Sequence, residues 1–344
     1  MAFTTINKPG EYFNTKLYAG DGQSTHAITG VGFQPDWVWI KKRNGTGSHN
    51  LVDAVRGVQN AIATDDTSAQ GTYSNNLSAF GTDGFTVGSG SLTNDNGYNF
   101  VSWNWRAGAG QGSSNTDGSI NTTYTSVNTT GGFSISQYTG TGANATVGHG
   151  LGVAPKMIII KCTSHTSNWA VYHKSIGATK MLNLNSTNAE ATNNGYFNDT
   201  DPTNLVFSLG DEGNDTNGSG KTYIAYCFAE KTGYSKFSDY TGNGSAEGAF
   251  VYTGFKPAFV LVKRNEAGYS WGINDSKRPG YNETDKYLIP DTNASDQTNA
   301  VDLVSNGFKF RTTAGGFNGS ASYIYMAFAA EPLVASNGDP ATAR

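Results

Sequence analysis

Apolar residues in this chain come in short bursts, without the three-and-four spacing of an amphipathic helix. The most informative burst occurs three times. Gly32-Phe33-Gln34-Pro35-Asp36-Trp37-Val38-Trp39-Ile40-Lys41 returns as Gly152-Val153-Ala154-Pro155-Lys156-Met157-Ile158-Ile159-Ile160-Lys161, and again as Gly254-Phe255-Lys256-Pro257-Ala258-Phe259-Val260-Leu261-Val262-Lys263. Each copy is a glycine, two residues, a proline and an apolar run closed by a lysine. Proline has no N–H to give to a ladder, so it predicts the entry of a strand. The run that follows is β-branched and aromatic, and too short for a free-standing helix. Positions 37, 39 and 41 take one face and 38 and 40 the other. Both faces are apolar up to the lysine, which predicts a central strand covered on both sides and surfacing at Lys41, Lys161 and Lys263.

Further elements recur around this strand. Upstream lie Tyr18-Ala19-Gly20-Asp21-Gly22, Tyr138-Thr139-Gly140-Thr141-Gly142 and Tyr240-Thr241-Gly242-Asn243-Gly244, each a strand end followed by a turn. Downstream, Leu51–Gly57 aligns with Val171–Gly177 and Ile273–Pro279, then a polar stretch and a weaker strand follow. Each copy closes on a period-two strand: Phe100–Ala107, Tyr223–Glu230 and Tyr323–Ala330. Its large apolar groups share one face. The small residues opposite, such as Ser102, Asn104, Ala225 and Cys227, predict either a closely packed second surface or a face left to solvent. The prolines stand at 35, 155 and 257, and the longer first interval is accounted for by 108–130, rich in Gly, Ser, Asn and Thr. That stretch reads as a flexible linker or long surface loop. The expected organisation is an N-terminal arm (1–11), modules at 12–107, 131–230 and 236–332, and a polar tail (333–344). About 100 residues with several short strands is the size of a two-sheet sandwich. The predicted fold is all-β, three tandem β-sandwich modules, with jelly-roll-like connectivity preferred.

Composition agrees. Among 344 residues, 44 are glycine, 15% are charged and 12% aromatic, which suits short strands and many turns and excludes a disordered chain. A formal net charge of −4, with no basic cluster, argues against a nucleic-acid binder. No run of 18 apolar residues exists to span a membrane, and the N-terminus has no secretory h-region. Cys162 and Cys227 cannot build a disulfide framework. They read as buried thiols, with a bond open to them if their strands are neighbours.

Candidate chemistry is sparse. His26, His49, His149, His165 and His173 form no ligand pair on one element, so no metal site is predicted from them. Asp199, Asp201, Asp211, Glu212 and Asp215 cluster in sequence but lack the spacing of a calcium loop. Asp53 and Asp275 align with each other, yet His173 replaces them in the second copy, and no second acid recurs beside them to complete a glycosidase pair. Each reads better as a local partner of Arg56 or Arg278. No catalytic residues and no cofactor are predicted. For ligand binding the candidates are Trp169, Tyr269 and Trp271, aromatic groups able to stack on a sugar face, with core packing the alternative for each.

The strand motif of 32–41, the segment Asp53–Gly57, Ser78-Ala79-Phe80-Gly81-Thr82-Asp83-Gly84-Phe85-Thr86-Val87-Gly88 and the closing strand Val101–Gly108 together resemble a repeat in virion proteins of marine tailed bacteriophages, described as tail-fibre-like or lectin-like. The resemblance is close over the first module, fair over the third and degraded in the second, where only Gly, Pro and Lys of the strand motif persist. It implies a non-enzymatic virion structural protein of the fibre, head-decoration or tail-appendage type, with adhesion to host-surface glycan as a further role. The alternative is a virion depolymerase acting on polysaccharide. The implied partners are other virion proteins and a homo-oligomer, preferably a trimer. The implied location is the virion, assembled in a host cytoplasm. Docking through the first module or the arm follows if 108–130 is flexible.

Overall fold

A computed structural model describes residues 4–279 and 281–334. Residues 1–3 of the arm and the tail from 335 lie outside them. The chain is all-β; among the described residues the helical pieces are a 3-10 turn, Pro9–Glu11, and a four-residue helix, Asn194–Phe197. Every strand pair in its sheets is antiparallel.

The repeated strand sits where its pattern demands. Trp37–Lys42 lies between Asn99–Trp105 and Asn50–Asp53, with Phe13–Ala19 at the sheet edge. Met157–Cys162 and Phe255–Arg264 occupy the same place between Thr222–Phe228 and Trp169–His173, and between Ser322–Pro332 and Gly272–Asp275. The repeated glycine ahead of it has positive φ in all three copies (92°, 71° and 81° at Gly32, Gly152 and Gly254), a conformation a side chain resists. In the first two copies the strand begins two residues after the proline. In the third it starts at Phe255 and takes Pro257 inside it, at a register shift that spares the ladder a missing N–H.

Smaller sheets cover one face of each. His26–Thr29, Gly84–Val87 and Leu77–Gly81 cover the first, Ala145–Gly148 with Val206–Leu209 the second, and Phe250–Tyr252, Gly307–Phe310, Gln297–Val304 and Thr284–Tyr287 the third. Between the first pair of sheets Val38, Ile40, Val52, Phe85 and Phe100 form a local core. Ser102, Asn104, Ala225 and Cys227 face these inner layers and are buried, so closeness of packing explains their size.

The other faces meet one another. Trp37, Trp39, Trp103 and Trp105 share a single core with Ile159, Tyr226, Phe228, Phe259, Leu261 and Phe328. At its centre Trp105, Phe228 and Phe328, equivalent residues of the three closing strands, stand 5.7–6.5 Å apart by ring centroids. The repeats therefore bury their largest aromatic groups against each other.

Of the two readings of segment 108–130, the structure shows the long loop, and it is tied into the fold. Asp36 accepts hydrogen bonds from the backbone N–H groups of Ala107, Ala109 and Gly110 at 2.7–3.1 Å, and Tyr124–Asn128 pairs with Phe133–Thr139 as an edge strand. The arm is packed as well, with Ile6 buried in the shared core. Cys162 and Cys227 lie on neighbouring strands but out of register, opposite Tyr223 and Ile158, and both are free.

Candidate functional site

The repeated lysines do not surface. Lys41, Lys161 and Lys263 are each 0% exposed. Lys41 Nζ donates to the carbonyl of Asn293 (3.3 Å), Lys161 to that of Thr67 (3.3 Å) and Lys263 to that of Thr187 (2.8 Å). The first repeat thus reaches the third, the second the first, and the third the second. Burial pulls all three ammonium groups down to about 8. A charge can be enclosed this way because carbonyl oxygens replace its water.

Cyclic contacts recur at two more positions, in the same sense at the first and in the opposite sense at the second. His49 Nδ1 accepts from Trp39 Nε1 (2.8 Å), which leaves Nε2–H to donate to the carbonyl of Ile289 (2.9 Å). At the equivalent places Trp169 Nε1 donates to Ala63 O (2.8 Å) and Trp271 Nε1 to Asn183 O (2.9 Å). Next come the aligned acids. Tyr226 donates its hydroxyl to Asp53 (2.8 Å), Trp103 Nε1 donates to Asp275 (3.0 Å), and His173 Nε2 donates to Tyr325 O (3.2 Å). Asp53 and Asp275 are fully buried and hold Arg56 and Arg278, at 2.5 and 2.7 Å. These groups are spent on joining repeats.

Trp169 and Trp271 are therefore corrected from ligand candidates to interface residues: neither ring has a face open to a sugar. Tyr269 is 39% exposed, but the Arg264 guanidinium lies over its ring at 4.8 Å. The clustered acids serve separately. Asp201 accepts from Tyr172 and Lys174, while Asp215 accepts from the backbone and amide of Asn168 and from Tyr196. Among the described residues no group of three or more His, Cys, Asp or Glu is placed to hold a metal ion.

One cleft stands out, which the sequence reasoning missed. It lies beside the first repeat, has a volume of about 310 Å³, and is bounded by Asn50, Ile62, Asp66, Tyr73, Asn75 and Leu92. Its back wall includes Ala63, the residue held by Trp169 from the second repeat. The loop forming its rim is pinned to that repeat by Gln70 N to Thr163 O (2.9 Å) and Ser167 N to Thr67 O (2.9 Å). The sequence signal was Tyr73, an aromatic residue in a polar stretch where the second and third repeats carry Asn193 and Asn299.

No curated protein and no solved structure matches the chain. One family model does, over residues 8–332, described as a domain of unknown function (DUF7483). The match runs through all three copies of the repeat, so the chain belongs to the family of that domain.

Proposed function

We propose that this chain is a non-enzymatic structural protein of a tailed-bacteriophage virion, of the fibre, head-decoration or tail-appendage type, assembled in the host cytoplasm and able to engage host-surface glycan. Its three repeats form three sandwich modules closed into one ring. The observation that carries this reading is the use of the repeated polar residues. Asp53, His173 and Asp275, with Lys41, Lys161 and Lys263, are enclosed at junctions between repeats. An enzyme built on the repeat would present the acids that recur in it to substrate, whereas a scaffold spends them on rigidity. Two free buried thiols suit folding in a reducing compartment.

In place of the homotrimer expected from the sequence, the threefold arrangement that a trimer would give is supplied within one chain. The first module docks no more independently than the others, because the ordered 108–130 segment and the shared core bind it to them. The test is mass spectrometry on density-purified particles of the encoding phage. Recovery of the chain at a fixed copy number per particle supports the reading. A chain confined to the soluble lysate, or one that depolymerises host polysaccharide once purified, overturns it.

A further inference from the structure

The equivalents of the first repeat's cleft in the second and third repeats are filled. In the third repeat Gly272 replaces Asn50, and Phe317 lies over it so closely that an added Cβ would meet the ring at 2.4 Å. In the second repeat Ala170 stands at that position. There the chain after the equivalent short strand Ala191–Thr192 turns into the helix Asn194–Phe197, which buries Tyr196 and Phe197. The first repeat has neither plug, and at the wall it carries a polar group. Asn50 is 3% exposed and its Oδ1 has no hydrogen-bond partner. A buried amide oxygen without a partner is costly, and its equivalents show that the fold accepts Ala or Gly instead.

We propose that this cleft binds a neutral sugar residue, which deepens the glycan-adhesion part of the function proposed above and rests on it for the biological source of the sugar. The volume of about 310 Å³ is at the small end of ligand sites, room for one ring with its substituents. The lining offers amides (Asn50, Asn75), a carboxylate (Asp66) and apolar surface (Ile62, Leu92). No lysine or arginine lines it, which disfavours a phosphate, sialic acid or uronic acid. Hydroxyl groups suit both kinds of polar partner, since they donate to Asp66 and to Asn50 Oδ1 and accept from amide N–H. Asp66 Oδ1 already accepts from Ser68 N (2.8 Å), which fixes the carboxylate and leaves Oδ2 for a ligand. Tyr73 forms the rim. Its ring lies over Gly71, where a Cβ would collide with it at 2.4–2.5 Å, and the side chain remains 53% exposed. An aromatic ring held at its hydroxyl end against a glycine and otherwise exposed is a stacking platform for the apolar face of a sugar.

The test is a neutral-glycan array, followed by saturation-transfer NMR of the full chain with the free monosaccharides that score. Binding of a neutral residue, weakened about tenfold or more by Tyr73→Ala and by Asn50→Ala, is expected, each change removing about one stacking contact or one hydrogen bond. Neither variant threatens folding, because Tyr73 is at the surface and the second repeat already carries alanine at the Asn50 position. Free monosaccharide binding identifies a pocket for a single residue, and binding of chain ends alone identifies a polysaccharide terminus. Either supports the assignment. No binding of any neutral sugar, preference for anionic glycans, or binding indifferent to both variants overturns it. A chain present in particles but blind to sugars sinks this inference alone, while sugar binding by a chain absent from particles sinks the virion reading alone.

Discussion

Asp53→Asn removes one charge from a pair that no water reaches, and its cost follows from what is left behind. Asp53 accepts from Arg56 Nε at 2.5 Å and from the Arg56 backbone N–H at 2.8 Å, and both side chains are 1% exposed or less. The asparagine keeps the shape but turns the guanidinium into an enclosed cation facing only the neutral oxygens of Leu51, Asn60 and Gln70. Breaking a buried pair from one side costs about 3–5 kcal/mol. That is a large part of the ~5–15 kcal/mol that holds a typical fold together. The pair also receives the Tyr226 hydroxyl from the second repeat, so Tyr226→Phe alone should cost about 1–3 kcal/mol as a lost bond to a charged acceptor. If the carboxylate joins the repeats, the two changes are not additive, and the double mutant should fall short of the sum by about 1 kcal/mol or more. Asp53→Asn with Arg56→Met should recover stability relative to Asp53→Asn, because the stranded cation is gone. Urea unfolding followed by tryptophan fluorescence reads all of this, since all six tryptophans are buried and Trp37 stacks on Tyr226 at 4.5 Å. A loss below about 1 kcal/mol for Asp53→Asn, or strict additivity with Tyr226→Phe, would refute the reasoning.

Other outcomes follow from the same contacts. His49, His149 and His173 are held neutral by burial, His173 down to about 4, so the unfolded chain binds more protons between there and its ordinary value of about 6.5. Stability is then complete above pH ~6.5 and falls on acidification, by about 3 kcal/mol from His173 alone at pH ~4; a flat unfolding free energy from pH 7.5 to 4.5 would contradict it, and His173→Gln should flatten the slope. The three buried lysines act at the other end: the unfolded chain binds more protons between pH ~8 and ~10, so they raise stability across that window, opposed by the Cys227 thiol and, toward pH ~10, by buried tyrosines such as Tyr138, Tyr226 and Tyr234, whose protons burial retains. Lys161→Met should remove about a third of the lysine contribution, and stability that falls from pH 8 to 9.5 argues against the enclosure of these charges. Removing residues 1–107 strips Trp37, Trp103 and Trp105 from the shared core, and the remainder is expected to aggregate; a soluble, cooperatively folded 108–344 fragment would show separate cores instead. Mass photometry of the purified chain should give a single species at 36.4 kDa, and a threefold multiple of it would restore the homotrimer.

The strands were legible because their periodicity is local, and the junctions were not because they are relations between distant residues. Gly-x-x-Pro followed by an apolar run states a strand with both faces covered, and the strand is there in each copy. What covered the second face could not be read. A helix layer, a second sheet or a neighbouring repeat would leave the same apolar pattern on Trp37 and Trp39. Lys41, Lys161 and Lys263 misled for a related reason: a lysine at the end of a strand ordinarily marks the surface, and only the carbonyls of Asn293, Thr67 and Thr187, from other repeats, make burial tolerable. Trp169 and Trp271 carried the right signal, an aromatic residue at a fixed repeat position, but a position kept through an internal repeat is held by the architecture that repeats. A ligand site that exists once should depart from the repeat. Asn50 against Ala170 and Gly272, and Tyr73 against Asn193 and Asn299, are such departures. In a chain made of copies, positions that keep one role across the copies build the junctions, even where the residue changes as at His49 and His173, and residues that differ at a wall left open are where binding is to be sought.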